Sequence, residues 1–342
     1  MNDSALVAFY GSPGSPYTQK MLALLRYRRI PYRFLHGDAA ELAELPKPKV
    51  TLLPIFYLPD ETGALQAIAD STPLIRRFER SHAGRSAIPG DPVVAFVDYL
   101  LEDYADEWLT KAMFHYRWRY AGDIEKAGNI LPRWNAICAP ESEIAARGKA
   151  FSDRQISRLY VVGSNETTGP LIEASYIRLL KILDEIIGQR PFVLGRRPAA
   201  VDFALYGQLT ALAKFDPTPM SLTLAHAPRV FAWVDLVSDL SGKEPSDGDW
   251  IDPGQIRDSL QPILCEVGRC YVPVMLANAR ALRSGANVVE AQVDGFAWTQ
   301  KPFPYQGKCL KWLNEMFGAL DDKDRNTVRN VLDGTGCELL LQ

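Results

Sequence analysis

The first eighty residues alternate between short apolar runs and stretches with helical periodicity. Residues 5–9 form a continuous apolar run and residues 31–35 a second short run, and both predict β-strands. Between these runs, apolar side chains recur at helical spacing at Tyr17, Met21, Leu24 and Leu25. A strand, a helix and a second strand in this order predict a β-α-β unit, whose two strands are usually parallel.

Two more strands and a helix complete this first region. Residues 55–58 and 64–68 predict strands, and the turn-forming residues 59–63 between them predict a hairpin. Ser71 is placed to cap the helix that follows. With a short helix before the hairpin, the order is β-α-β-α-β-β-α. We therefore predict a thioredoxin-like domain over residues 1–84.

The middle of the chain has helical periodicity and no strand pattern. One long helical pattern runs over residues 93–118, and residues 122–168 are weakly patterned, which predicts loops with one or two short helices. Three later helices are predicted to begin near Ile172, Pro198 and Pro228. This region, residues 90–242, is predicted to be all-α.

A polar segment, residues 241–253, predicts a linker to a third region. Residues 256–282 have a helical pattern. Residues 289–298 alternate around Asp294-Gly295, which is the strongest short-range signal for a β-hairpin, and a last helix follows it. Residues 243–342 are therefore predicted to form a small extension of helices and one hairpin.

Composition narrows the functional class. The chain has 342 residues, 47% of them hydrophobic, and a formal net charge of −3, which gives no basis for binding nucleic acid or an anionic membrane. Its five cysteines are scattered, and neither they nor its four histidines have metal-ligand spacing, so neither a disulfide framework nor a metal site is expected. The absence of a membrane-length apolar run and of a signal-peptide pattern favours a cytoplasmic location.

Four short segments together point to a family. They are Ser15-Pro16-Tyr17-Thr18 at the first helix, Leu53-Pro54 before the third strand, Asp70-Ser71 at the following helix, and residues 192–205 in the helical region. In this combination the chain resembles the cytosolic glutathione transferases over about residues 5–240. The resemblance implies an α+β fold, with a thioredoxin-like N-terminal domain followed by an all-α glutathione transferase C-terminal domain.

The chain departs from the family pattern in two places. Ala199 stands where a capping hydroxyl is expected three residues before Asp202, so the helix cap there is predicted to be incomplete, with Asp202 acting as a cap and not in catalysis. The extension over residues 243–342 has no counterpart in the ordinary family architecture. The first departure concerns stability, and the second concerns access of the substrate.

Ser15 is the predicted catalytic residue. The resemblance implies that its hydroxyl stabilises the thiolate of glutathione, the co-substrate; from the residues alone, the alternative is that Ser15 is only an N-cap. Because serine replaces the reactive cysteine of the redox branch, a mixed disulfide cannot form at this position, which disfavours thioltransferase activity. Tyr10 and Tyr17 are further candidate hydroxyl donors.

Five other residues are implied to bind glutathione. Leu53 would present its backbone to the cysteinyl part beside a cis Pro54, while Asp70 and Ser71 would take the γ-glutamyl ammonium and carboxylate. Lys49 is the candidate for the glycyl carboxylate. From the residues alone, Pro54 can equally be an ordinary trans proline, Ser71 a helix cap, and Asp70 and Lys49 solvated residues.

The second substrate is expected between the domains, against the first long helix. The predicted pocket residues are Tyr17, Trp108, His115 and Trp118. Since most aromatic residues of a long helix belong to the core, we expect one or two to line the pocket. The extension has three aromatic residues that predict either a lid or an independently packed subdomain, namely Trp298, Phe303 and Tyr305.

These features predict a glutathione transferase-like enzyme that activates the glutathione thiol for attack on a small electrophile. Two alternatives stay open, a non-catalytic glutathione-binding or protein-interaction module and a glutathione-dependent peroxidase. A homodimer is expected, with Arg76, Arg77 and Glu79 as candidate interface charges.

Overall fold

A four-stranded sheet forms the start of the chain in the computed structural model, which describes residues 6–341. The strands are β1 (Val7–Tyr10), β2 (Tyr32–Leu35), β3 (Ile55–Pro59) and β4 (Leu65–Ile68). Their order in the sheet is β2-β1-β3-β4, with β1 parallel to β2 and the other pairs antiparallel. This confirms the predicted β-α-β unit and hairpin; Ala5, predicted to begin the first strand, lies outside the described residues.

Two helices pack on this sheet, α1 (Pro16–Tyr27) and α2 (Ser71–Ser81). Their shared core is aromatic: the rings of Phe9 and Phe56 stack at 4.6 Å, and Phe78 of α2 lies 5.6 Å from Phe56. The core fixes where both helices begin relative to the strand ends, and it therefore positions the turns that carry Ser15 and Asp70.

The helical region begins with one long continuous helix. It consists of α3 (Pro92–Tyr104), a π-helical turn at Ala105–Leu109 and α4 (Thr110–Arg119), which confirms the long helix predicted for residues 93–118. The remaining helices are α5 (Ala121–Ile130), α6 (Glu141–Ile156), α7 (Gly169–Gln189), α8 (Ala200–Leu209, extended by a π-helical turn at Thr210–Phe215), α9 (Pro217–His226) and α10 (Pro228–Val237).

The segment 122–168 is more helical than its pattern predicts, since α6 alone has 16 residues. The buried residues of α6 are Ile144, Gly148 and Ser152, so two of its three core positions carry almost no apolar surface. At Gly148 a Cβ atom would lie 2.1 Å from the carbonyl oxygen of Gly128 on α5, so the two helices approach closely. A helix packed through small residues leaves little apolar periodicity for sequence reasoning to detect.

The cap of α8 is incomplete, as predicted, because the side chain of Ala199 makes no capping hydrogen bond. The buried Asp202 carboxylate accepts hydrogen bonds from the backbone N–H of Ala199 at 2.8 Å and of Val193 at 2.9 Å. Burial raises the pKa of Asp202 to about 7, and the two backbone hydrogen bonds oppose that rise. Asp202 therefore ties the Val193 turn to the start of α8, and it has a structural role.

The extension consists of a long helix, a hairpin and two further helices. The long helix is α11 (Ile256–Glu266), a π-helical turn at Val267–Tyr271 and α12 (Val272–Ser284); the others are β5 (Val289–Val293), β6 (Phe296–Gln300), α13 (Pro304–Gly318) and α14 (Asp322–Leu332). The predicted hairpin is confirmed, with positive φ at Asp294 (50°) and Gly295 (82°) as its two-residue turn requires.

The extension and the helical region share one hydrophobic core. Trp298 of β6 is fully buried, and its ring centre lies 5.3 Å from that of Trp108. The ring centre of Phe317 on α13 lies 5.8 Å from that of Phe96. The Tyr271 hydroxyl also donates a hydrogen bond to the buried Asp103 carboxylate. The expectation of an independently packed subdomain is therefore wrong, because α3 and α4 complete their burial against the extension. Within residues 6–341, none of the helices combines the length and apolarity needed to cross a membrane.

Candidate functional site

The turn between β1 and α1 places Ser15 at the first position before the helix. The Ser15 backbone is extended (φ −92°, ψ 118°), and its side-chain oxygen accepts a hydrogen bond from the N–H of Thr18 at 3.3 Å. An N-cap of this kind uses the oxygen as acceptor, so the hydroxyl proton is left to donate to another group. Pro16 follows as the first helical residue, where its missing N–H costs no hydrogen bond.

Neighbouring groups hold this turn in place. The N–H of Ser12 donates to Thr18 Oγ1 at 3.4 Å, and the Gln19 side-chain amide donates to the Pro13 carbonyl at 2.9 Å. From α4, the Arg117 guanidinium donates to the carbonyl of Gly14 at 3.2 Å. The turn is thus fixed both by its own helix and by the helical region.

The segment before β3 lies beside the same turn. The Leu53-Pro54 peptide bond is cis, as the resemblance implies, and Pro54 is buried while Leu53 is partly exposed. Leu53 and Ser15 line one cavity. The two segments that the sequence predicts to meet at the thiol of glutathione therefore do lie together.

The start of α2 carries a strained backbone. Asp70 has φ +92° and ψ 102°, a conformation that non-glycine residues rarely adopt; residues with strained backbones cluster at functional sites. Its carboxylate accepts a hydrogen bond from the Tyr305 hydroxyl of α13 at 2.9 Å. Burial raises the pKa of Asp70, and the Tyr305 hydrogen bond and the charge of Lys308 act against that rise. The neighbouring Ser71 is only 6% exposed.

A cavity of about 410 Å³ opens between the two regions beside Ser15. Its first wall is the turn and the loop before β3, with Ser12, Gly14, Ser15 and Leu53. The other walls come from the helical region, with Met113, Phe114, Arg117, Trp118, Leu131, Pro132, Asn135, Arg147, Phe151 and Gln155. Most of these side chains are apolar or aromatic, and two are arginines. The cavity therefore fits a small, largely apolar molecule next to the Ser15 hydroxyl.

The family model of the glutathione S-transferase N-terminal domain matches residues 9–86. The chain carries a glutathione S-transferase N-terminal domain. The matched segment contains the Ser15 turn, the cis Leu53-Pro54 bond and the Asp70-Ser71 pair. No curated protein matches the chain.

Several solved glutathione transferases are similar to the chain at low sequence identity. A family member from Pseudomonas fluorescens with two glutathione molecules bound is 13% identical; the match covers 69% of this chain and 89% of that one, with a TM-score of 0.42. A glutathione S-transferase from Methylobacterium radiotolerans in complex with glutathione sulfonate is 17% identical, with coverages of 72% and 94% and a TM-score of 0.39. The Tau class enzyme from mango is 18% identical, with coverages of 70% and 93% and a TM-score of 0.38. These scores lie below 0.5, so none of the three assigns a role to a residue of this chain.

Of the predicted pocket residues, Trp118 lines the cavity beside the glutathione S-transferase N-terminal domain. The other three lie elsewhere. The Tyr17 hydroxyl donates to the backbone carbonyl of Asp106 at 2.7 Å, and Trp108 donates to Ser175 Oγ at 3.2 Å. His115 is fully buried, with its ring nitrogens 2.7 Å from Ser164 Oγ and 3.0 Å from Glu173 Oε1. Tyr17, Trp108 and His115 thus hold the helices together, as most aromatic residues of a long helix do.

The remaining candidates lie at the edge of the cavity or outside it. Lys49 is exposed in the loop before Leu53, and Tyr10 packs in a small cluster with Leu53 and Ile55 under that loop. Sequence reasoning missed Phe114, Arg117 and Phe151 among others, because they come from α4 and α6 and carry no local motif. Arg117 lies in the last turn of α4 together with Arg119.

Buried charges join the glutathione S-transferase N-terminal domain to the long helix. Lys20 of α1 donates to Glu102 Oε1 at 2.8 Å and to Asp106 Oδ2 at 2.6 Å. Thr72 Oγ1 lies 3.1 Å from Glu102 Oε1, and Arg76 lies 3.4 Å from Glu102 Oε2. We call these five residues the Lys20 cluster. Burial opposes the charge of Lys20, but Asp106 and Glu102 raise its pKa above its usual value, so the ammonium stays charged.

Proposed function

We propose that the N-terminal domain binds glutathione and that Ser15 activates its thiol for attack on a small electrophile held in the adjacent cavity. One observation carries the proposal. The Ser15 oxygen accepts from Thr18 N–H, which leaves its hydroxyl proton free, and Ser15 borders a cavity together with Leu53. This arrangement falls within the segment that matches the family model.

Ser15 and the N-terminus of α1 can supply the free energy that lowering the thiol pKa requires. A thiol pKa near 8.5 leaves a few per cent thiolate at neutral pH, and lowering it by about two units takes about 2.7 kcal/mol. A hydroxyl donating to a charged sulfur contributes about 1.5–3 kcal/mol, and the N-terminus of α1 adds about 0.3–1 kcal/mol. Ser15 therefore supplies most of the stabilisation and forms no covalent bond itself.

The chemistry follows from that role. The thiol proton passes to solvent, and the sulfur electron pair forms a new S–C bond. In a substitution the leaving group departs with its electron pair; in an addition the carbanion takes up a proton. Phe114, Trp118 and Phe151 would hold an apolar or aromatic electrophile against the sulfur.

Calorimetric titration of glutathione in two buffers of different ionisation enthalpy tests the proposal. A bound thiol pKa near 6.5 would release about 0.7 proton at pH 7. Ser15→Ala should still bind glutathione, release about 0.1 proton and lose conjugation of an aryl halide by about 10-fold or more. Ser81→Ala, at the exposed end of α2, is the matched control.

Other outcomes identify the alternatives. Binding without proton release would contradict thiol activation and favour a non-catalytic glutathione-binding module. Faster turnover with a hydroperoxide than with an aryl halide would favour the peroxidase. Unchanged turnover in Ser15→Ala would show that Ser15 has no catalytic role.

Homodimer formation stays a prediction of the resemblance. The charges expected at an interface are paired within the chain: Arg76 with Glu102, Glu79 with Arg28, and Arg77 with a backbone carbonyl. We propose a dimer that does not depend on these three side chains. Sedimentation equilibrium would decide this, and a single species at monomer mass would contradict it.

A further inference from the structure

Helix α13 of the extension lies against the start of α2, 235 residues away in sequence. The Tyr305 hydroxyl donates to Asp70 Oδ1 at 2.9 Å, and Lys308 Nζ lies 4.0 Å from Asp70 Oδ2. The charge of the buried Lys20 of α1 also acts on Asp70, so Lys308 is a second cation at this carboxylate, and it comes from the extension. The extension thus brings a hydroxyl and an ammonium group to the Asp70-Ser71 pair.

This set of groups matches the charges of an amino-acid head group. A zwitterion presents an ammonium and a carboxylate a few ångströms apart. The Asp70 carboxylate and the Lys308 ammonium are separated by a similar distance, so each can face the group of opposite charge on the ligand. The hydroxyl of Ser71, a residue that is only 6% exposed, can supply one more hydrogen bond at the N-terminus of α2.

We propose that α13 completes the glutathione site in cis. In this proposal Lys308 binds the α-carboxylate of the γ-glutamyl group, and Tyr305 is a positioning residue that orients Asp70 to receive the α-ammonium. The inference rests on the proposed function, because it assumes that glutathione is the ligand of the N-terminal domain.

The state of Lys308 fits this role. Its side chain is half exposed, and at 4.0 Å its ammonium makes no close hydrogen bond to Asp70. It lies 4.1 Å from the centre of the Trp312 ring, which holds it near the site without using its donors. Lys308 can therefore turn toward a carboxylate without breaking a strong contact. The Asp70 side chain is itself still 22% exposed, so α13 borders the site and leaves it accessible.

The test compares the binding of three peptides by calorimetry. The probes are glutathione, 4-aminobutanoyl-Cys-Gly, which lacks the α-carboxylate, and glutaryl-Cys-Gly, which lacks the α-ammonium. Lys308→Met should weaken glutathione binding by about 10- to 100-fold, the value of a charge-assisted hydrogen bond, and should leave binding of the first analogue unchanged. Lys308→Arg should restore part of the affinity.

Tyr305→Phe has a different signature. It should weaken binding of glutathione by about 5- to 10-fold and leave binding of glutaryl-Cys-Gly unchanged, because that analogue has no ammonium for Asp70 to receive. A merely structural role for Tyr305 would weaken all three peptides equally. Lys311→Met is the matched control, since Lys311 lies on the same helix, is exposed and pairs with Glu315.

The results separate this inference from the proposed function. If the wild-type chain binds glutathione and Lys308→Met leaves the affinity unchanged, or raises it as the removal of a blocking group would, the inference is overturned and the proposed function stands. If the wild-type chain binds none of the three peptides, the proposed function fails and the inference fails with it. Each variant's melting temperature should match that of wild type, which excludes misfolding as the cause.

Discussion

Replacing Lys20 with methionine removes the one fully buried cation of the Lys20 cluster. Methionine has nearly the same length and volume as lysine, so the change creates almost no cavity. Glu102 would lose a 2.8 Å contact and Asp106 a 2.6 Å contact. Glu102 would keep Thr72 and a long contact to Arg76. Asp106 would keep a 3.3 Å contact between its Oδ2 atom and Thr72 Oγ1, but its Oδ1 atom has no partner within the described part of the chain.

The expected loss is large because the carboxylates stay behind. Removing one partner of a buried ion pair leaves an uncompensated charge and typically costs about 3–5 kcal/mol. The side chains of Lys20, Glu102 and Asp106 are all under one-tenth exposed, so solvent screening reduces this loss little. At pH 7.5 we therefore expect Lys20→Met to lower the free energy of unfolding by about 3–5 kcal/mol.

Urea unfolding followed by fluorescence at several pH values checks this reasoning. In the variant, protonation of Glu102 and Asp106 removes the unpaired charge, so the loss should shrink as pH falls from 7.5 to 4.5. The triple variant with Glu102→Gln and Asp106→Asn added should recover most of the stability. Lys49→Met, at an exposed lysine, is the control. A loss below about 1 kcal/mol, or a loss independent of pH, would refute the interpretation of the cluster as a buried charge network.

Two further predictions concern the core and the cavity. Burial raises the pKa of Asp103 from 3.8 to about 7, so the folded chain holds this proton more tightly than the unfolded chain; the stabilisation is complete below about pH 4 and is lost as pH rises through about 7. Between pH 5 and pH 9 this group should lower the free energy of unfolding of the wild type by about 3 kcal/mol, and Asp103→Asn should not show that decrease. Parallel curves of stability against pH for the variant and the wild type would contradict this. Phe151→Ala, which removes an aromatic wall of the cavity, should raise the KM for an aryl electrophile about 10-fold without changing glutathione affinity, and an equal effect on both would place Phe151 outside the electrophile site.

Local signals explain which parts of the fold could be predicted. The cap at Ser15 followed by Pro16, the turn at Asp294-Gly295 and the long apolar periodicity from Val93 each specify an element through neighbouring residues, and each element is present. Helix α6 escaped prediction because its contacts to α5 use Gly148 and Ser152, whose side chains carry little hydrophobic signal.

The residues of the candidate site also fall into two groups, those in short local motifs and those that distant segments bring to the site. Ser15, Leu53 and Asp70 lie in short motifs, and the structure brings the first two to one cavity. Phe151 reaches that cavity from α6, and Tyr305 reaches Asp70 from the extension. Contacts between such distant residues depend on how whole helices pack, and no pattern within a short window of sequence encodes that packing.

The core shared by the extension and the helical region has a consequence for synthesis on the ribosome. The N-terminal sheet with α1 and α2 has local contacts and can form as soon as its residues emerge. One face of the long helix cannot complete its packing then, because the Phe96 ring packs on Phe317 and the Trp108 ring on Trp298, about two hundred residues later. Other residues of the helix contact α1 and α7, but this face stays open until the extension has been translated, so the extension prolongs the interval in which a nascent chain is exposed to chaperones or to aggregation.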